Sequence, residues 1–357
     1  MRWLIALAGA LWIVVITWDT FEAVVLPRRV TRRFRTTRMF FRTTWWAWSA
    51  LARRMRAQGR RETYLSFYGP LSLLGLFAAW AASLIVAFAL VQHGLGTRLS
   101  VEGGGTFLHQ LYMSGETFFT LGFGDIVPRS TPGRIVIVIE AGMGFGFLAL
   151  VIGYVPILYQ AFSRREVEIT LLDARAGSPP SAEELLRGHG EDIEELSDLL
   201  REWERWSADV LESHLSYPVL SFYRSQHDNQ SWLAALTTVL DTSALVIVGV
   251  EGACQRQAQL TFAMARHTVV DLAQVLSRRP LAGADRLPTD ELARLRASLS
   301  ASGVILDAGL GLDEKLAELR RMYEPFVAAL AEHLLMPLPA WRGGGSRENW
   351  RTTAWRE

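Results

Sequence analysis

Only one cysteine, Cys254, and one lysine, Lys315, occur among the 357 residues. A lone cysteine excludes a disulfide framework and any zinc or iron–sulfur site built on several thiolates. No glycine precedes Lys315, so the phosphate-cradling pattern G-x-x-x-x-G-K-[ST] is absent. Alternation of apolar and polar residues, the mark of a half-buried strand, is missing at any useful length, and no repeat is found. The net charge of +1 carries no overall bias toward an acidic or basic partner. His189, His214, His227, His267 and His333 show no metal-ligand spacing, and no nucleophile–base pair stands out, so an enzyme is the weakest class.

What the chain has is apolar length. Hydrophobic types make up 50% of it and the mean hydropathy is +0.16, high for a chain soluble throughout. Three stretches are candidate spans: 3–26, apolar until Asp19 and Glu22; 64–91, with no charge; and 135–162, with only Glu140. Each crosses a hydrocarbon core of about 30 Å at about 1.5 Å per residue. The first has a poor basic flank and no small-residue cleavage site before Asp19, so it reads as an anchor rather than a signal peptide.

Charge is segregated behind the neutral total. Residues 1–62 carry 13 Arg against Asp19, Glu22 and Glu62, whereas 166–357 hold 19 basic and 29 acidic groups. Between the first two spans, Arg28, Arg29, Arg32 and Arg33 are followed by Trp45 and Trp46. Arginine with aromatics suits either nucleic acid or the headgroup layer, and a position between two spans selects anionic lipid over nucleic acid. The positive-inside rule then places 28–63 and Arg164–Arg165 in the cytoplasm, and the N-terminus and 92–134 outside a cell inner (plasma) membrane. Asp19 and Glu22 are expected to pair with Arg28 and Arg29 through snorkelling.

After Arg165 the pattern becomes that of soluble helices. Ser181 with Glu184 forms a capping box behind a turn-rich linker, and Ile193, Leu196, Leu199, Leu200, Trp203, Trp206, Val210 and Leu211 make a one-faced stripe. The apolar run 232–250 is a fourth possible span, but Asp241 at its centre favours a buried helix of a bundle. The expected organisation is an N-terminal transmembrane helix (1–27), a basic interfacial segment (28–63), a pore-like domain (64–165), a helical cytoplasmic domain (166–341) and a disordered tail (342–357). The fold class is an all-α membrane protein.

The most informative run is Glu116-Thr-Phe-Phe-Thr-Leu-Gly-Phe-Gly-Asp-Ile-Val-Pro128. Thr120-Leu121-Gly122-Phe123-Gly124-Asp125 resembles the potassium-channel selectivity filter, usually T-V-G-Y-G-D. The surrounding order of outer helix, re-entrant pore helix, filter and inner helix is similar to bacterial two-transmembrane channels, over about a quarter of the chain. Physical chemistry supports the residue types independently. An ion that sheds its water needs stacked backbone carbonyls, and alternating glycines permit the φ > 0 that turns them to one axis.

The resemblance implies a homotetramer conducting K+ on the backbone carbonyls of Thr120, Leu121, Gly122 and Phe123, with no cofactor besides the permeant ion. Glu116, Tyr112 and Met113 fall at filter-supporting positions, and Glu116 with Asp125 matches a carboxyl pair behind the filter. Leu121 replaces the usual Val and Phe123 the usual Tyr, so the filter wall loses one hydroxyl anchor. Gly144 lies where a gating hinge is placed, and close packing explains it equally well. Pro156 removes a helix hydrogen bond, with Ile152, Val155 and Tyr159 as candidate constrictions. The regulatory ligand or protein is not specified by the sequence. A nonselective cation pore and a membrane-anchored scaffold or receptor with a silent pore are the alternatives.

Overall fold

The computed structural model describes residues 1–26, 35–189, 195–227, 229–250, 255–307 and 310–343. Arg28, Arg29, Arg32 and Arg33 lie outside them, as do Asp228, Cys254 and 344–357. Among the described residues there are thirteen α-helices, short 3-10 and π turns, and no strand longer than an isolated bridge. Two compact units form, one from Met1–Arg54 and Phe67–Tyr159, the other from Met55–Ser66 and the chain from Gln160 onward. Four helical stretches are long and apolar enough to cross a membrane: Arg2–Val25, Gln58–Gly94, Thr131–Ala176 and Trp232–Gly249.

In the first unit, α1 (Arg2–Thr20) runs on into a π turn at Phe21–Val25, and α2 (Thr36–Ala52) follows. α3 (Gln58–Ser66) belongs to the second unit. The stretch 28–63, read from the sequence as one interfacial segment, is therefore divided. Glu62 draws its end into the second unit by pairing with Arg224 at 3.4 Å. The first unit continues with α4 (Tyr68–Gly94), α5 (Phe107–Phe118) and α6 (Thr131–Ala176) as far as Tyr159.

Small residues bring α1 and α4 together. A Cβ on Gly94 would sit 2.3 Å from the Ala6 backbone nitrogen, and one on Gly9 would sit 2.7 Å from the Ala87 carbonyl oxygen. Only missing side chains allow such an approach. At the other end of α1, Asp19 is buried, and its Oδ2 accepts from the Thr37 backbone N–H (3.1 Å), the Thr36 and Thr37 hydroxyls and Trp80 Nε1 (3.2 Å). Asp19 thus caps the first turn of α2 from another helix, and its expected pairing with Arg28 and Arg29 lies outside the described residues. Glu22 accepts from Trp18 Nε1 at 2.6 Å and lies 3.8 Å from Arg35.

The second unit assembles the rest of α6 with α7 (Ala182–Arg187), α8 (Glu195–Ser216), α9 (Trp232–Gly249), α10 (Gln255–Val275), α11 (Thr289–Ser300), α12 (Leu310–Arg321) and α13 (Glu324–Leu334). The Ser181 side chain accepts the Glu184 N–H, and the α8 stripe from Leu196 to Leu211 is buried. Every residue of α9 is buried by protein. Asp241 explains how a carboxylate survives there: Arg286 donates to it at 3.1 and 2.5 Å and the Tyr323 hydroxyl at 2.5 Å. The chain stays ordered past the expected start of the tail. Arg342 lies 3.4 Å from Glu291, and the Gly343 N–H donates to Glu183 at 2.8 Å.

Candidate functional site

The loop between α5 and α6 is built from its helical entrance. Thr106 and His109 cap α5 reciprocally, the Thr106 N–H donating to His109 Nδ1 at 3.0 Å. After Phe118 the helix cannot continue, because Thr120, Gly122 and Gly124 take φ of 56, 67 and 73° while Leu121 and Phe123 do not. Every second residue is left-handed, which reverses alternate peptides and lets successive carbonyls face one side. Glycine meets this at two positions without cost, whereas Thr120 carries an expected strain of about 1–2 kcal/mol. No Cβ contact lies within 4 Å of Gly122 or Gly124, so the φ alone demands glycine there.

Backbone and carboxyl groups prop the loop from behind. The Leu121 N–H donates to the Glu116 carbonyl at 2.9 Å, and the Gly124 N–H donates to Glu116 Oε1 at 2.8 Å. Asp125 accepts from the Ile126 N–H at 3.0 Å, with the Tyr112 hydroxyl 3.5 Å away. Glu116 and Asp125, matched above to a carboxyl pair, are engaged separately, one on the loop backbone and the other beside Tyr112. Tyr112, placed at a filter-supporting position by the sequence, brings its hydroxyl to Asp125 at the end of the loop. Met113 is buried as packing. Beyond the loop, Leu99 and Pro128 form a bridge, and the Val127 N–H donates to Ser100 Oγ at 3.0 Å.

α6 lies flush against the end of α5. A Cβ on Gly144 would fall 2.0 Å from the Phe118 carbonyl oxygen, while Gly142 and Gly146 have open space. Close packing therefore accounts for Gly144. The helix runs unbroken through Pro156, and Ile152, Val155 and Tyr159 are exposed on the single chain. Leu121 and Phe123 are also exposed, at 57% and 69%. One acid escaped the sequence reading: Glu140, fully buried, contacts Ser114 of α5. Its only signal was a lone charge in an apolar span.

Residues 75–161 match the family model described as ion channel. The chain is an all-α membrane protein, one segment of which is similar to ion channels. That segment contains most of α4, all of α5, the left-handed loop and α6 as far as Ala161. The chain is also 23% identical over 207 residues to the uncharacterized membrane protein YdjJ of Bacillus subtilis (strain 168). The match covers 56% of this chain and 58% of that protein, less than two thirds of the relative's length. No solved structure matches.

At the membrane-interface candidates, the two tryptophans part company. Trp46 is 74% exposed, but Trp45 is buried with its ring 4.7 Å from that of Tyr68. Neighbouring positions point about 100° apart on a helix, so one faces α4 and the other faces out. Trp45 is a packing residue and not an interface anchor. Arg38, Arg42 and Trp46, four apart, share the exposed face of α2.

Proposed function

We propose that this chain is the subunit of a potassium-selective channel in which four copies surround one axis. The observation that carries the reading is the left-handed alternation at Thr120, Gly122 and Gly124, propped by Glu116, inside a segment matching ion channels. K+ sheds water and is received by the backbone carbonyls of Thr120, Leu121, Gly122 and Phe123, whose dipoles offset the lost hydration. Irregular backbone at membrane depth must be covered by protein, and Leu121 and Phe123 are bare on one chain. A fourfold assembly covers them and closes the ring of carbonyls.

In this reading α1, α4 and α6 span a plasma membrane with the N-terminus outside. The second unit is cytoplasmic and carries the response to a gating signal whose ligand or protein is unidentified. Arg38, Arg42 and Trp46 meet anionic headgroups. The test is the reversal potential of purified protein in a planar bilayer with potassium opposing sodium. A value near the potassium equilibrium potential is expected, and Gly122→Ala should abolish the current because alanine resists the left-handed φ. Reversal near zero would indicate a nonselective pore, and wild-type current in Gly122→Ala would remove the filter assignment.

A further inference from the structure

Glu140 is fully buried in α6. Its Oε1 contacts Ser114 Oγ on α5, and its Oε2 has no hydrogen-bond partner. Ser114 Oγ also lies 2.8 Å from the Ile85 carbonyl oxygen on α4. A serine hydroxyl owns one hydrogen. Given to Ile85, it leaves a lone pair facing Glu140, and only a protonated carboxyl can complete that hydrogen bond. Given to Glu140, it leaves an ionised carboxylate with one neutral donor, one bare oxygen and no counter-charge, a state that burial disfavours strongly.

Among the described residues, no ionisable neighbour supplies that counter-charge. On α4, Tyr68 donates to the Phe41 carbonyl and His93 pairs with Gln110. On α5, His109 is held by Thr106, Tyr112 faces Asp125 and Glu116 accepts from Gly124. Arg134, at the start of α6, donates to the Pro128 carbonyl. Glu140 and Gly144 are four apart on α6, as are Ser114 and Phe118 on α5. The Glu140–Ser114 contact and the Gly144–Phe118 approach are therefore two points of one seam. Glu116, which props the loop, lies between those two points on α5.

We propose that Glu140 is a neutral carboxylic acid whose proton clamps α6 to α5, making it a positioning residue for the loop, and that losing this proton weakens conduction. The second clause rests on the pore reading; the protonation does not. Deprotonation would strand a charge in the seam, which water entry or separation of the helices must relieve.

The test uses full-length protein in lipid vesicles, with two readouts. An infrared difference spectrum of wild type against Glu140→Gln at neutral pH should contain a protonated-carboxyl C=O band. Potassium flux of wild type should fall several-fold as pH rises into the alkaline range, while Glu140→Gln, which keeps a donor and cannot ionise, should conduct at neutral pH without that fall. Absence of the band overturns the protonation, and an identical alkaline fall in the variant overturns the clamp. A band without flux at any pH would sink the pore reading and the conduction clause together, leaving the neutral acid in place. Should Glu140→Gln not assemble, Ser114→Ala decides: removing the hydrogen-bond partner should shift the carboxyl band, and an unmoved band refutes the contact.

Discussion

His214 shows how a single side chain's protonation follows from its neighbours. It is fully buried, with Nδ1 2.8 Å from the Val210 carbonyl and Nε2 3.2 Å from an Arg165 guanidinium nitrogen. A guanidinium only donates, so Nε2 must be bare and the Nδ1–H must donate to Val210. Burial, then the Arg165 charge, hold the ring's pKa well below its usual 6.5. The unfolded chain takes up a proton near 6.5 that the folded chain refuses, so stability falls as pH drops through that value. The slope approaches about 1.4 kcal/mol per pH unit. The thermal midpoint of detergent-solubilised protein should fall between about pH 7 and about pH 5, and less steeply in His214→Gln, whose carbonyl still accepts from Arg165. Equal slopes would place the acid sensitivity elsewhere. None of this is visible in the sequence, where His214 stands 49 positions from Arg165. The loop residues from Thr120 to Asp125 were legible because their demand, alternate left-handed backbone, is local.

Two helix pairings depend on single positions. Gly144→Ala would drive a methyl into the Phe118 carbonyl, and with backbone on one side and a packed helix on the other neither can yield cheaply. A loss of about 1–3 kcal/mol is expected, read as a lower thermal midpoint, whereas Gly142→Ala, with open space, should change it little in the protomer. An equal effect of both would mean that Gly144 is not needed for the approach of α6 to α5. The second pairing is the capping of α2 by Asp19. Asp19→Ala removes the acceptor for two hydroxyls, one backbone N–H and an indole. The first turn of α2 should fray, and trypsin in detergent should cut faster after the exposed Arg38 and Arg42. Unchanged cleavage would show that α2 is held by other contacts, such as Trp45 on Tyr68. From the sequence, Asp19 suggested an arginine partner because arginines follow it closely. Among the described residues it meets threonines and a tryptophan, which any local pairing rule overlooks, while Arg28 and Arg29 lie outside them.

At the scale of the whole chain, the proposed function gives conduction to the first unit and the response to a gating signal to the second. Removing everything from Gln160 onward should leave the reversal potential unchanged while altering open probability in the bilayer. A shifted reversal potential would mean that ion preference is not confined to the first unit. The cut also strips α3 of its Arg224 partner, so gating is the property expected to suffer. The change of character expected at Arg165 falls inside α6, which runs unbroken to Ala176. Hydropathy, helical period and the glycine alternation by themselves determined the long apolar helices, the one-faced α8 and the position of the loop. Each is written in neighbouring residues, through helical period, transfer to hydrocarbon, or φ. Tertiary structure alone decided that α9 is enclosed by protein, since Asp241 finds Arg286 and Tyr323 only after 45 and 82 residues of chain have folded back. It alone decided the partners of Asp19, Glu140 and His214. A buried polar group is stable only where a matching donor or acceptor meets it, and that meeting is a property of packing rather than of sequence distance.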